Sequence, residues 1–139
     1  MWQRAMDLVI EVYAATKPFP HDERYGPTSQ TRRAASSIAL NIAEGAGCRS
    51  RKEFAQFLSI ALRSQYELAT ALRIAVRLDY LSGSLFAELD ERTANVGRPL
   101  QGLLDSVSRD PATLKDASLD TEFETDFITV SALLTEMDQ

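Results

Sequence analysis

The chain has 139 residues, of which 45% are hydrophobic and 25% charged, and a net charge of −5. That is an ordinary globular composition for one domain, and no apolar run approaches the roughly 20 residues that cross a bilayer, so no membrane partner is expected. A single cysteine, Cys48, excludes an intrachain disulfide and suits a reducing cytoplasm.

The net charge conceals a division. Residues 109–139 hold eight acids and two bases, whereas residues 1–108 hold twelve acids and thirteen bases. The body is near neutral and the acidity belongs to the C-terminal tail.

The first 17 residues carry Asp7 and Glu11 and do not read as a signal peptide. Trp2, Met6, Val9, Val12 and Tyr13 recur at helical spacing and predict a first helix from Trp2 to Thr16. "KPFP" at 17–20 stops it, because proline lacks an N–H and disfavours helix in the residue before it. A second helix is predicted from Ser29 to Ala46, with Ala35, Ile38, Ala39 and Ile42 as its core stripe and Gly45 and Gly47 as C-terminal caps.

Ser50 and Glu53 then form a capping box that opens a long third helix, Arg51 to Leu78. Its stripe is Phe54, Phe57, Ala61, Leu68, Leu72, Ala75 and Val76. After a turn at 79–84, Leu85, Leu89, Val96, Leu100, Leu103 and Val107 predict a fourth helix, Leu85 to Val107, kinked at Pro99. The fold class expected is all-α: an up-and-down antiparallel four-helix bundle over 1–108. The acidic tail, 109–139, either stays disordered or orders against another surface.

Chemistry-bearing motifs are sparse. "EGAGCRS" at 44–50 lacks the Gly-Lys-Ser/Thr ending of a phosphate loop and follows no strand. The one histidine, His21, lies in the Pro-rich connection, so no metal site and no cofactor are expected. Cys48 has no base near it in sequence to activate it, and no acid–base pair suggests an enzyme.

Two polar stripes carry more information. Arg33, Ser37, Asn41 and Glu44 share one face of the second helix; Arg63, Glu67, Thr70, Arg73 and Arg77 lie along the third. They fit solvated or salt-bridged faces, a subunit interface, or a surface for an anionic ligand. Arg33, Ser37, Asn41, Glu44, Arg63 and Glu67 are the candidate oligomer interface. Arg32, Arg33, Arg49, Arg51 and Lys52 are the candidate nucleic-acid contacts, as two clusters a helix length apart.

The stretches "FPHDERYGPTSQTRRAASSIALNIAEG" and "RSRKEFAQFLSIALRSQYELATALRIAVRLDYL" are long and specific. They resemble the four-helix-bundle family first noticed as open reading frames within intervening sequences of bacterial large-subunit ribosomal RNA genes. The likeness covers most of 1–108. It implies a short up-and-down bundle and a ring-shaped homo-oligomer, a pentamer, with no enzymatic mechanism. A similar family is the accessory variability proteins of diversity-generating retroelements, which bind nucleic acid and a reverse transcriptase. Those proteins are strongly basic, unlike this body. Asp79 stands where the family usually has glycine.

Two functions follow as expectations. One is a scaffold or adaptor that presents a ring, and its acidic tail, to a protein partner. The other is an accessory factor for RNA or DNA.

Overall fold

The structure is a computed structural model that describes residues 1–109; the tail expected to be disordered or docked lies, from 110 on, outside the described residues. The elements are α1 (Trp2–Thr16), a single 3₁₀ turn (His21–Glu23), α2 (Pro27–Ala46), α3 (Arg51–Arg77) and α4 (Gly83–Ser108). Each helix packs on its chain neighbours, and α1 also meets α4, which closes a four-helix bundle. The α2–α3 seam is the most extensive and the α1–α4 seam the loosest. Among the described residues no strand occurs, and no helix is long and apolar enough to cross a membrane.

The core runs through all four helices, from Trp2, Leu8 and Val12 through Ile38 and Ile42, then Leu58, Leu68 and Leu72, to Leu89, Val96 and Leu100. The expected stripe of α1 is rotated. Met6 and Tyr13 are exposed, and Ala5, Leu8, Ala15 and Thr16 are buried instead. Both sets satisfy helical spacing. The small Ala5 and Ala15 let α1 lie close to its neighbours, whereas Met6 and Tyr13 would hold it away.

Buried hydroxyls are satisfied locally. Thr16 donates to the Val12 carbonyl at 2.8 Å, Thr31 to Pro27 at 2.6 Å and Thr93 to Leu89 at 2.7 Å. The core therefore accepts threonine without orphaned polar atoms at these positions.

The boundaries correct the sequence reading in physical detail. α2 starts two residues early because Pro27 occupies the first helical turn, where its missing N–H costs nothing. Gly45 is not a cap. It lies inside α2, and a Cβ there would stand 2.8 Å from Phe54 Cδ2 and 3.1 Å from Phe57 Cβ. Gly47 does cap α2, but with right-handed dihedrals (φ −81°, ψ −7°) open to other residues. The left-handed cap belongs to α3. Asp79 has φ 60°, its N–H reaches the Val76 carbonyl at 3.1 Å, and the Tyr80 N–H reaches the Ala75 carbonyl at 2.9 Å. That pair of bonds is a Schellman motif.

Ser50 caps α3 by accepting from the Glu53 N–H at 3.2 Å, and Ser82 caps α4 from Leu85 in the same way. α4 runs on through Pro99, whose ring is exposed. The lost bond to the Asn95 carbonyl thus falls on the solvent side, where water can replace it.

Two glycine substitutions separate packing from propensity. Alanine is favoured over glycine by about 1 kcal/mol within a helix. Gly102→Ala meets no atom within 4 Å and is expected to stabilise by about that much. Gly45→Ala must displace Phe54 and Phe57, an overpacking cost of about 1–3 kcal/mol, and is expected to destabilise. Asp79→Gly relieves a left-handed residue and is expected to stabilise by roughly 1 kcal/mol. Urea unfolding of the three variants checks all three signs.

Candidate functional site

The polar stripe of α2 divides into an inner and an outer part. Ser37 and Asn41 are half-buried and tie α2 to α3. Asn41 Nδ2 donates to Ser37 Oγ at 3.0 Å and to the Ser37 carbonyl at 2.8 Å. Ser37 Oγ and Ser64 Oγ are 2.8 Å apart, and Ser64 Oγ donates to the Ile60 carbonyl at 3.0 Å. Since Ser64 spends its one proton on Ile60, Ser37 must donate to Ser64 and accept from Asn41. The bonds run one way, Asn41 to Ser37 to Ser64 to Ile60. The charged members Arg33, Glu44, Arg63 and Glu67 instead point outward and are exposed.

The candidate nucleic-acid arginines divide likewise. Arg32 is half-buried. Its Nε donates to Thr16 Oγ1 at 2.8 Å, and its guanidinium lies 4.7 Å from the centre of the Tyr13 ring. It braces α1 against α2 through a cation–π contact and a hydrogen bond. Arg51 is also half-buried and reaches the Ser106 carbonyl of α4 at 3.5 Å. Arg33, Arg49 and Lys52 are exposed. Along α2 the first cluster stands about 20 Å from the α2–α3 turn.

The helices partition charge in a way the chain-wide average hides. Residues 27–77, α2 through α3, carry eight bases and three acids, a balance of +5. α1 and α4 together carry three bases and six acids, a balance of −3. Because α2–α3 and α1–α4 occupy opposite halves of the bundle, its two sides are oppositely charged.

The α1–α4 side carries a groove. One depression of about 420 Å³ is lined by Arg4, Asp7, Leu8, Glu11, Arg92 and Asn95. Next to it lies one of about 320 Å³, lined by Glu11, Ala14, Ala15, Leu85, Glu88 and Leu89. Arg92 bridges Glu11 of α1 and Glu88 of its own helix, at 3.0 Å to the latter. On the other side a broader depression, about 1010 Å³, is lined by Lys52, Ile60, Arg63, Leu104, Asp105 and Arg109 among others.

Large apolar side chains also face outward: Ile10 is 67% exposed, Leu40 61%, Tyr66 59% and Ile74 49%. The sequence analysis missed them as surface features, because their spacing was indistinguishable from that of core residues.

Chemical functionality is slight. Partial desolvation, then the Glu53 and Glu44 carboxylates, push the Cys48 thiol up, which favours the unreactive protonated form. Tyr80 donates to Glu23 Oε1 at 3.2 Å and packs on Phe19 with ring centres 5.4 Å apart, tying the Pro-rich connection to the end of α3. Desolvation and that bond push its phenol up. His21 lies exposed in the 3₁₀ turn. Among the described residues no group of three or more His, Cys, Asp or Glu could hold a metal ion.

A family model, 23S rRNA-intervening sequence protein, matches residues 1–102. Among solved structures, a protein of unknown function from the S23 ribosomal protein family of Bacteroides thetaiotaomicron is similar in fold. It aligns with a TM-score of 0.70 at 19% identity, covering 75% of this chain and 94% of the other. No curated protein matches.

The one-way chain of hydroxyls predicts coupling. Ser37→Ala and Ser64→Ala should each cost about 1 kcal/mol. The double variant should cost less than their sum by about 0.5 kcal/mol or more, since one bond is lost in both. A double-mutant cycle in urea measures it.

Proposed function

The chain belongs to the 23S rRNA-intervening sequence protein family, and from that premise we propose that it is a non-enzymatic scaffold that acts by assembling with copies of itself. The observation that carries this reading is the set of large apolar side chains on outward faces, Ile10, Leu40, Tyr66 and Ile74. Soluble monomers seldom expose such residues together, whereas interfaces bury them. The family resemblance makes the assembly a ring, a homopentamer, in the cytoplasm. The acidic tail would present a contact for a protein partner.

A second reading, an accessory factor for RNA or DNA, is favoured by the +5 balance of residues 27–77. It also follows from the resemblance to the retroelement accessory proteins. Arg33, Arg49 and Lys52 are its exposed cations; Arg32 contributes as a brace.

Light scattering on the purified chain tests the first reading. We expect a mass several times the 15.4 kDa of one chain; a mass of 15.4 kDa at every concentration would remove it. Fluorescence anisotropy with structured RNA and duplex DNA tests the second. With about three phosphate contacts, affinity should fall roughly 40-fold between about 50 and 200 mM salt. The Arg33→Ala/Arg49→Ala/Lys52→Ala variant should lose that binding.

A further inference from the structure

The scaffold reading leaves open which surfaces meet. Along the outer edge of α3, Arg63, Tyr66, Thr70, Arg73 and Arg77 recur at spacings of three and four residues, and all five are exposed. They therefore form one straight ridge. Arg73 makes only a long contact, 3.7 Å, with Asp90, and Arg63 and Arg77 have no acidic partner among the described residues. Tyr66 stands in the middle with 59% of its surface in solvent. Tyrosine flanked by arginines is the composition that dominates binding energy in protein interfaces.

The complementary feature lies on α1 and α4. The groove between them is the loosest seam of the bundle, and the carboxylates of Asp7, Glu11 and Glu88 line it. Asp7 is exposed and has no cationic partner among the described residues. Ile10, one turn on from Asp7, is exposed beside it, and Leu8, Ala14, Leu85 and Leu89 line the two depressions. An apolar floor with an acidic rim thus faces away from an aromatic ridge with basic flanks.

We propose that the α1–α4 groove of one copy receives the Arg63–Tyr66–Thr70–Arg73–Arg77 ridge of a second copy. This rests on the scaffold reading and supplies its missing half. Groove and ridge lie on different sides of the bundle, since α1 packs on α2 and α4 but makes no comparable seam with α3. The contact is therefore head-to-tail. Each copy that uses its groove keeps its ridge free, so the contact repeats until the assembly closes. The surfaces that the sequence assigned to the interface on α3, Arg63 above all, take the ridge role. The acidic groove is the partner that the sequence did not indicate.

Two surface variants and their mixture test this by light scattering, with circular dichroism to confirm unchanged helix content. Asp7→Arg spoils the groove and leaves the ridge; Arg63→Glu/Arg77→Glu spoils the ridge and leaves the groove. Each alone should drop to the single-chain mass. Mixed in equal amounts, they have one good groove and one good ridge between them. The mixture should stop at twice the 15.4 kDa chain mass, a result that a self-matching interface does not produce. If the wild type assembles and both variants keep its full mass, this placement is wrong while the scaffold reading stands. A wild type that is itself a single chain sinks both. A ridge variant that keeps its mass but no longer binds RNA makes the ridge a nucleic-acid surface and overturns the placement.

Discussion

The close approach of α2 and α3 is the constraint on which the rest of the bundle depends. Gly45 leaves no room for a Cβ against Phe54 and Phe57. Ala34, Ala35, Ala39 and Ala46 keep α2 slim, and Ser37 meets Ser64 at hydrogen-bonding distance. Two helices this close cannot bury long side chains between them. Their arginines are driven to the outer faces, and the large apolar residues of α3 that do not reach the core, such as Tyr66 and Ile74, are exposed with them. A tight seam on one side thus creates a crowded, basic surface behind it.

The opposite side behaves differently for the same reason. α1 is short, and its contact with α4 is the loosest in the bundle. Small residues, Ala14 and Ala15, face Leu85 and Leu89 across a gap, and the ion pairs of Arg92 with Glu11 and Glu88 span it. Exposed pairs of this kind contribute little stability. Their consequence is a groove whose rim is acidic. The polarity of the molecule is therefore a product of packing: the seam that closes tightly expels bases, and the seam that stays open collects carboxylates.

Much of the architecture was legible in the chain. Helical spacing, the prolines at 18 and 20, the Ser50 cap and the turn after Leu81 place four helices within a few residues of their observed ends. The errors arose where local rules permit two answers. In α1 the sets containing Met6 and Tyr13 or Leu8 and Ala15 are equally periodic, and only contact with α2 and α4 selects the second. Gly45 satisfies the composition of a cap and also that of a close contact, and the neighbouring phenylalanines decide between them. Asp79 gave no signal of a left-handed cap, because aspartate adopts that conformation only when the surrounding fold imposes it.

The candidate surfaces show the same division more sharply. Residue types and periodicity were enough to establish an all-α bundle, a polar stripe on α2 and a basic stripe on α3, because these follow from backbone geometry and local spacing. Which members of those stripes face inward depends on atoms distant in sequence. Arg32 is absorbed as a brace by Thr16 and Tyr13, while its neighbour Arg33 stays in solvent. Ser37 and Asn41 turn inward to Ser64, while Glu44 stays outside. The groove lined by Asp7, Glu11 and Glu88 joins residues about 80 positions apart, brought together only when α4 closes the bundle against α1. No local pattern encodes that meeting, since it exists only once the helices have packed.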